Sequence, residues 1–428
     1  MPVGTSSERG GARRAAWLLV APTGRGWQAL VLGVLVLVVA RLIGTTQFHQ
    51  LAYALLALPL AALATGALGV RGLCFSRALA RGSRITAGSP AAVELRLHNA
   101  SRFGASGIGL SDHLPEWREF EIPSLAGRGE TAMEVPLTFA RRGLYELGPA
   151  ETRVADPFGL LRFVRRFEER TEVVVYPKVH DLRDFPLRGA DVEANARSSV
   201  GQRGDEFAGL REYRRGDDRR HIHWKSVART GELFVKEFAV HAPRRYTVAL
   251  DLRREGLRNV EAEIEDAVSA AASVLDYLAR ERLPFRLLCT EASGAETPFG
   301  SDAASYWGAM RLLATARADG GTSLGEAVLE QRVNLGEGVV LVLRSDDEEL
   351  PACVRRLRGA GLSVVVVALA THTYRTPPVG SAAGAARKRE AQFATTLARL
   401  EKAGAVVRVV EAGAGVTGLS GAAQKGAV

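Results

Sequence analysis

Cysteine is scarce in this sequence of 428 residues. The cysteines are Cys74, Cys289 and Cys353, an odd number that is widely spaced. None has the nearby second cysteine that a zinc knuckle or a redox pair requires, which argues against both kinds of site. We interpret all of them as reduced packing residues in a cytosolic setting.

A strong charge of one sign is also missing. The chain has 56 Lys and Arg against 47 Asp and Glu, which gives a formal net charge of +9. A positive charge favours acidic partners, nucleic acid or anionic lipid, but this excess is modest for so long a chain. Charge alone therefore does not select a partner.

Two long apolar runs lie near the start of the chain, at Trp27–Ile43 and Leu51–Val70. Each approaches the ~20 residues that span a bilayer as a helix, so together they predict a transmembrane hairpin within residues 27–70. The connecting segment, Gly44–Gln50, has no Lys or Arg, whereas arginines flank the hairpin on both sides: Arg9, Arg13, Arg14, Arg25, Arg71, Arg77, Arg81 and Arg84. By the positive-inside rule both termini, including the tail of residues 1–26, face the cytoplasm. The sequence thus predicts a multi-pass protein of the inner (cytoplasmic) membrane with two helices.

The rest of the sequence predicts an α+β multidomain chain. Within residues 71–180, short runs such as Ala92–Asn99 alternate apolar and polar residues, which indicates an antiparallel β-sandwich. Residues 181–245 combine a polar linker with a charged and aromatic stretch. Within residues 246–411, apolar strands alternate with helical patterns, which indicates a doubly wound α/β domain. Residues 412–428, rich in Gly and Ala, are expected to form a flexible tail.

In such a sheet a ligand or partner site lies beyond the carboxyl ends of the strands. The turns after Leu250 and Leu343, together with Gly320–Ser323, are therefore expected to meet at one edge, here named the rim.

Three segments carry a family resemblance. Gly204–Phe238 reads GDEFAGLREYRRGDDRRHIHWKSVARTGELFVKEF, and it follows RRGLYELGP at Arg141–Pro149 and DPFGL at Asp156–Leu160. In these segments and in the order of its parts, the chain resembles the bacterial family known as domain of unknown function 58. The resemblance implies a membrane-anchored protein whose C-terminal domain is similar to a von Willebrand factor A domain. It also implies association with MoxR-type AAA+ ATPases and transglutaminase-like proteins in systems that assist protein maturation.

Domains of the von Willebrand A type commonly bind Mg²⁺ through an Asp-x-Ser-x-Ser turn, a Thr and a second Asp, all of them hard oxygen ligands. At the corresponding positions Asp251, Thr322 and Asp346 match, but Arg253 and Glu255 replace the two serines. An arginine competes with a divalent cation both sterically and electrostatically. We therefore expect a degenerate metal-site rim, with no cofactor, in which Arg253 supplies the positive charge; Mg²⁺ is the alternative.

The charged stretch allows several functions. His221 and His223 would share a face on a strand and could approach one metal ion, although a zinc site needs about four ligands and no Cys lies nearby. Acid–base catalysis by a histidine with Asp217 or Asp218 is conceivable, but no nucleophile elbow or P-loop accompanies it. The eleven Lys and Arg of residues 201–245 could bind nucleic acid, but seven interspersed Asp and Glu would repel its phosphates.

The favoured interpretation of this stretch is an interdomain clamp or a partner-docking surface, in which paired charges fix orientation. Ile222 and Trp224 are expected to pack on an apolar surface. The predicted members of the clamp are Asp217, Asp218, Arg219, Arg220, His223, Trp224, Lys225 and Arg229.

These observations predict a membrane-anchored, non-enzymatic accessory or scaffold protein that docks a cytoplasmic partner. The family resemblance implies that this partner is a MoxR-type AAA+ ATPase, in a protein maturation or envelope-related system. The lipid bilayer is the second expected partner, and nucleic acid is not expected. One alternative is a metal-dependent hydrolase using the rim or the pair His221 and His223, and another is a nucleic-acid binder.

Overall fold

The computed structural model describes residues 18–79, 84–183, 185–187, 207–213, 222–238, 244–254, 261–331, 334–344, 347–374, 383–413 and 416–419. The chain divides into two compact units, Met1–Tyr176 and Pro177–Val428. Each unit is described by itself below.

The first unit begins with a strand, β1 (Leu18–Pro22), and a helical hairpin, α1 (Gly24–Ile43) and α2 (Thr46–Arg71). Thr23 caps α1, because its side chain accepts the Gly26 N–H at 3.1 Å, and Gly44 ends it in the left-handed conformation with φ 76°. Both helices are long and apolar enough to cross a membrane. They begin before the predicted Trp27 and Leu51, because the helical conformation extends into the polar flanks of the apolar runs.

Antiparallel sheets make up the rest of this unit. Their strands are β2 (Leu73–Leu79), β3 (Ile85–Thr86), β4 (Pro90–Asn99), β5 (Ala105–Leu114), β6 (Glu116–Leu125), β7 (Glu130–Thr138), β8 (Gly143–Leu147), β9 (Ala150–Ala155), β10 (Leu161–Phe167) and β11 (Thr171–Tyr176). The sheet orders are β1-β10-β9-β5-β6, β2-β4-β7 and β3-β11-β8, and the short β3–β11 pair is parallel. Alternate residues such as Leu95, Leu97, Ile108 and Leu110 bury one shared core. The predicted antiparallel sheets are thus confirmed.

Strand β1 corrects the predicted N-terminal tail. The sequence placed residues 1–26 outside the folded domains, but Leu18–Pro22 pairs with β10, with Val20 opposite Phe163. The sheet therefore includes chain from both sides of the hairpin.

Strand register defines two ends of the first unit. Pro22, just before α1, pairs with Leu161, and Leu73, just after α2, pairs with Asn99. Ala105 pairs with Leu125. The β9–β10, β4–β5 and β6–β7 loops therefore lie where the hairpin joins the sheets. We call this the hairpin end. The β5–β6 turn lies at the opposite end, where Leu114 pairs with Glu116.

Glycines allow the hairpin to approach the sheets closely. A Cβ on Gly26 would lie 2.1 Å from the Leu160 carbonyl oxygen, and a Cβ on Gly66 would lie 2.1 Å from the Phe163 ring. The Thr23 N–H also donates to the Leu160 carbonyl at 2.8 Å. The base of the hairpin is therefore packed directly against β10 and the loop before it.

The second unit contains a hairpin and an α/β sheet. Its elements are β12 (Phe207–Glu212), α3 (Trp224–Thr230), β13 (Phe234–Phe238), β14 (Tyr246–Leu250), α4 (Glu261–Arg280), β15 (Phe285–Cys289), α5 (Ala303–Thr315), α6 (Leu324–Glu330), β16 (Gly338–Leu343), α7 (Leu350–Gly359), β17 (Ser363–Leu369), α8 (Ala383–Lys402) and β18 (Val406–Val410), with 3-10 turns at Thr371–Tyr374 and Val416–Leu419. Strands β12 and β13 pair antiparallel. The predicted parallel sheet is confirmed, with the order β15-β14-β16-β17-β18.

The parallel strands are apolar throughout because both faces of the sheet are covered. Ala249, Leu341 and Val366 pack in one cluster with residues of α6, α7 and α8. The alternate residues Val248 and Val340 are fully buried on the other face. Helix α4, which contacts β14, β15, β16 and β17, buries its own apolar stripe there.

Two segments that the sequence assigned to a linker and a tail are packed. The ring of Phe185, in the predicted linker, lies 5.9 Å from the ring of Tyr277 on α4. Just before the linker, the His180 N–H donates to the Ser273 hydroxyl of α4 at 2.9 Å, so this part of the chain lies against α4. In the predicted tail, Val416 and Leu419 are fully buried. These two apolar side chains lie three residues apart in a segment of otherwise polar or small residues.

Candidate functional site

The rim lies at the point where the strand order of the parallel sheet reverses. From β14 the chain first goes to β15 on one side and then returns to β16 on the other side. Loops leaving two such adjacent strands separate toward opposite sides, which leaves a crevice at their carboxyl ends. Asp251 directly follows β14 and Arg344 directly follows β16. The position predicted for the site is therefore the one that the sheet topology favours.

Asp251 is fully buried and lies beside an arginine. Its carboxylate accepts the Arg253 N–H at 3.1 Å and lies 3.4 Å from Nε of the same residue. Arg253 is mostly buried, with 20% of its side chain exposed. The turn after β14 therefore places a guanidinium against the carboxylate that the metal-binding pattern would use.

The Gly320 loop joins the turn after β14 through backbone hydrogen bonds. The Arg254 N–H donates to the Gly320 carbonyl at 2.9 Å, and the Gly320 N–H donates to the Leu252 carbonyl at 3.1 Å. Thr322, two residues further on, is therefore held near this turn and is exposed. Asp346, the remaining predicted rim residue, lies outside the described residues.

A second buried ion pair lies at the rim. Arg344 is almost completely buried, lies 3.3 Å from Glu263 of α4, and donates a hydrogen bond to the Arg253 carbonyl. Sequence reasoning missed both residues. The signal was available for Glu263, because it shares the spacing of the apolar residues Ala267, Ala270 and Val274 on α4 and is therefore an acid on the buried face.

Asp347 has a structural role. Its buried carboxylate accepts the Gly325 N–H at 3.0 Å and the Glu349 N–H at 3.1 Å. It therefore ties the start of α6 to the segment that leads into α7. A carboxylate engaged in this way fixes the loops of the rim.

Tyr374 lies in the turn after β17 and is held as a neutral donor. Its hydroxyl donates to Asp266 of α4 at 2.7 Å. Burial first, and then this hydrogen bond, raise the pKa of Tyr374 far above its usual range. Tyr374 is therefore unsuited to act as a general base at neutral pH.

The described rim does not fit a hard-cation site. The described residues contain no group of three His, Cys, Asp or Glu side chains that could hold a metal ion. Mg²⁺ requires several oxygen ligands in a near-octahedral arrangement, whereas Asp251 faces a guanidinium and Asp347 faces backbone N–H groups.

The predicted clamp is only partly described. Asp217, Asp218, Arg219, Arg220 and His221 lie outside the described residues. His223 precedes α3 and its Nδ1 lies 2.8 Å from the Ser226 hydroxyl, while Lys225 and Arg229 are exposed on that helix. Ile222 is buried and bridges to Val235, as expected. Trp224 is 65% exposed, which corrects the expectation that it packs on an apolar surface: it starts a helix of seven residues, none of which is buried.

Glycine 320 provides a direct test of the rim. We expect Gly320→Ala to lower the free energy of unfolding of the second unit by about 1–3 kcal/mol, the usual cost of overpacking. A Cβ at this position would lie 1.6 Å from the Thr290 carbonyl oxygen, whereas the described chain has no atom within 4 Å of a Cβ on Gly321. Gly321→Ala is the matched control, and urea titration measures both variants. Equal stability of the two variants would contradict the close approach of these loops.

The fold and the rim define a general class: a chain with an apolar helical hairpin, antiparallel sheets and a parallel α/β unit whose strand-end charges are paired internally. Residues 209–286 match the family described as "Protein of unknown function DUF58". This match covers β13, β14, α4 and most of the charged stretch, and it supports the family resemblance noted from the sequence.

No curated protein matches the chain. Among solved structures, the CARDB domain of a Pyrococcus furiosus protein is 13% identical, with 24% of this chain and 86% of that chain covered and a TM-score of 0.19. A GH20 exo-β-N-acetylglucosaminidase from Vibrio harveyi is 10% identical, with 79% and 75% covered and a TM-score of 0.19. Similarities this low carry no argument about fold or function.

Proposed function

We propose that this protein is a membrane-tethered, non-enzymatic accessory or scaffold protein whose rim docks a cytoplasmic protein partner. The family resemblance suggests that the partner is a MoxR-type AAA+ ATPase, in a protein maturation or envelope-related system. The α/β unit would then act as a von Willebrand A-like domain whose rim has lost its metal.

The pairing of charges at the rim is the observation that carries this proposal. Asp251 faces Arg253, and Arg344 faces Glu263, so both acids already have a cation within 4 Å. A catalytic site needs groups free to exchange protons or to bind an ion, whereas a docking surface needs a rigid frame with exposed side chains around it. The exposed residues of the described rim are Arg254, Thr322, Glu348 and Glu349.

The helical hairpin supports the membrane tether. Both helices expose large apolar side chains along their length, among them Val31, Leu35 and Leu42 of α1. An exposed apolar surface that extends along two helices is typical of a membrane or a protein interface. With arginines on both outer flanks and none between Gly44 and Gln50, the hairpin would cross the inner membrane twice and leave both termini in the cytoplasm.

Charge reversal at the rim tests the docking proposal. We expect the full chain in detergent to capture an AAA+ ATPase from its native lysate. Arg254→Glu is expected to lower that enrichment at least tenfold. A tenfold loss of affinity corresponds to ~1.4 kcal/mol, which a single arginine in a docking surface can contribute. Arg282→Glu is the control, because Arg282 is exposed before β15, at the opposite edge of the sheet. Quantitative mass spectrometry measures the captured proteins.

Other outcomes would favour the alternatives. Equal capture by Arg254→Glu and the wild type would overturn docking through the rim. Stoichiometric metal in the purified protein together with hydrolysis would favour a metal-dependent hydrolase. Binding to DNA or RNA that weakens steeply with salt would favour a nucleic-acid binder.

A further inference from the structure

The hairpin end of the first unit exposes two aromatic side chains on loops. Phe158 is 47% exposed in the β9–β10 loop, and Phe103 is 57% exposed in the β4–β5 loop. The β9–β10 loop ends at Leu161, which pairs with Pro22, and the β4–β5 loop begins after Asn99, which pairs with Leu73. Both loops therefore lie at the hairpin end. Two large apolar side chains therefore lie beside the base of a hairpin that is itself apolar.

The Phe158 loop has a defined conformation. The buried Asp156 carboxylate accepts the N–H groups of Phe158 and Leu161, the first at 2.8 Å, and Gly159 adopts φ 68°. The Gly159 carbonyl in turn accepts the Thr23 hydroxyl at 2.7 Å. The loop is thus fixed between the sheet and the first residue of the hairpin, in a form that holds Phe158 away from the core.

The Phe103 loop is built in a similar way. The buried Asn99 side chain donates to the Phe103 carbonyl at 2.8 Å and accepts the Ser101 N–H at 3.0 Å. The Phe103 N–H donates to the Ser101 hydroxyl at 2.9 Å. Gly69 of α2 approaches this loop, because a Cβ there would lie 3.5 Å from the Gly104 carbonyl. Each helix of the hairpin therefore has one such loop at its base.

Helix length places these loops at the level of the bilayer surface. α1 has 20 residues, and at ~1.5 Å per residue this gives about 30 Å, the thickness of the hydrocarbon core. A bilayer that covers all of α1 must therefore reach Gly24, next to Thr23 and its partner Gly159. Trp27, exposed in the first turn of α1, lies at the depth where Trp is enriched in membrane proteins.

The charge of the hairpin end matches anionic headgroups. Within residues 23–27, 69–73, 99–105, 125–130 and 155–162 the acidic residues are Asp156, which is buried and hydrogen-bonded to backbone, and Glu130. Exposed arginines are more numerous there, at Arg25, Arg71, Arg102, Arg128 and Arg162. Arginine close to an anionic leaflet is attracted to it, and aromatic side chains enter the headgroup boundary.

We infer that the hairpin end is a second membrane-contact surface, in which Phe103 and Phe158 insert into the cytoplasmic leaflet and the surrounding arginines bind anionic lipid headgroups. The inference rests on the proposed membrane tether. It adds that the sheets of the first unit lie directly on the bilayer in a fixed orientation. The sheets then contact the bilayer on one side, and the hairpin does not act as a flexible tether.

Site-directed spin labelling of the full chain tests this inference. In a Cys74→Ser background, where the remaining cysteines Cys289 and Cys353 are buried, labels are placed by Phe103→Cys, Phe158→Cys and Arg102→Cys. Arg102→Cys keeps both phenylalanines in place. Trp117→Cys is the matched control, because Trp117 is 52% exposed but follows the β5–β6 turn at the opposite end. Leu35→Cys, in the middle of α1, reports insertion of the hairpin itself.

Each protein is reconstituted in vesicles of phosphatidylcholine and phosphatidylglycerol, and label collision is measured with oxygen and with a water-soluble nickel chelate. We expect the ratio of oxygen to chelate accessibility at positions 103, 158 and 102 to exceed that at 117 severalfold, and to fall when phosphatidylglycerol is omitted.

Two results would overturn the inference and are distinguishable from each other. If position 35 is in lipid while 102, 103 and 158 are as accessible to the chelate as 117, the tether stands and the surface contact is wrong. If position 35 is also accessible to the chelate, both the tether and the surface contact are wrong.

Discussion

Asp112→Asn is expected to lower the free energy of unfolding of the first unit by about 3–5 kcal/mol, the cost of removing one partner from a buried ion pair. Arg77 on β2 donates through Nε to Asp112 on β5 at 3.0 Å and through a second nitrogen to the other carboxylate oxygen. Both side chains are fully buried. Asparagine keeps the shape of the carboxylate but leaves the guanidinium charge uncompensated in the core.

The remaining hydrogen bonds of Arg77 do not relieve this cost. Its guanidinium also donates to the Leu147 carbonyl at 3.0 Å and to the Thr171 hydroxyl at 3.2 Å. Those neutral acceptors fix its position and provide no opposite charge. Because Arg77, Asp112, Leu147 and Thr171 come from different strands, the pair joins the sheets of the unit, and its loss is expected to affect them together.

Glu119→Gln provides the matched control for this prediction. Glu119 and Arg153 form an ion pair of 2.7 Å on the same unit, but their side chains are 69% and 45% exposed. Water and salt screen exposed ion pairs, so this substitution is expected to change stability little. Urea titration in detergent, with hydrogen exchange of β2 and β5 as the local readout, compares the two variants. A similar effect in both would show that the buried pair has no special weight.

Much of the fold could be predicted because its strands have clear patterns. The alternating residues of β4 and β7 predicted a sheet with one buried face, and the continuous valines of β17 predicted a strand buried on both faces. The hairpin was visible as two apolar runs. These features depend on local sequence, since periodicity and length of an apolar run decide them.

The missed elements depend on distant partners. β1 is a run of five residues whose strand character depends on pairing with β10, far away in sequence. Phe185 reads as part of a polar linker, but it is buried, with its ring 5.9 Å from that of Tyr277 on α4. α6 has seven residues, too few for a helical period to be recognised in the sequence.

The candidate site shows the same division. The sequence placed Asp251 at the rim because residues after parallel strands share one edge of the sheet. It placed Thr322 there through the family resemblance, since Thr322 follows helix α5 and not a strand. It did not predict that Arg344 would be paired with Glu263, because that contact joins the end of β16 to a helix on another part of the chain. Pairing between buried charges requires the packing of helix on sheet, which no local pattern specifies.

Glu263→Gln is expected to destabilise the second unit by about 3–5 kcal/mol, again because it leaves an arginine buried beside a neutral group. Glu263 and Arg344 lie 3.3 Å apart and are almost completely buried. Glu261→Gln, in the same first turn of α4 but exposed, is the matched control. Its expected cost is below about 1 kcal/mol, the usual contribution of an acid at a helix N-terminus.

Glu263→Gln is also expected to have a local effect at the rim, in addition to the global loss of stability. Arg344 also donates to the Arg253 carbonyl, so a displaced Arg344 frees the turn that carries Asp251. In Glu263→Gln, hydrogen exchange is therefore expected to accelerate first at Leu252 and Arg253, in the native state and well below the urea midpoint. The Leu252 N–H donates to the Thr290 hydroxyl at 2.8 Å in the intact rim, which makes it a sensitive reporter. If exchange at these amides follows only global unfolding, the ion pair stabilises the unit without holding the rim, and docking through a rigid rim loses its structural basis.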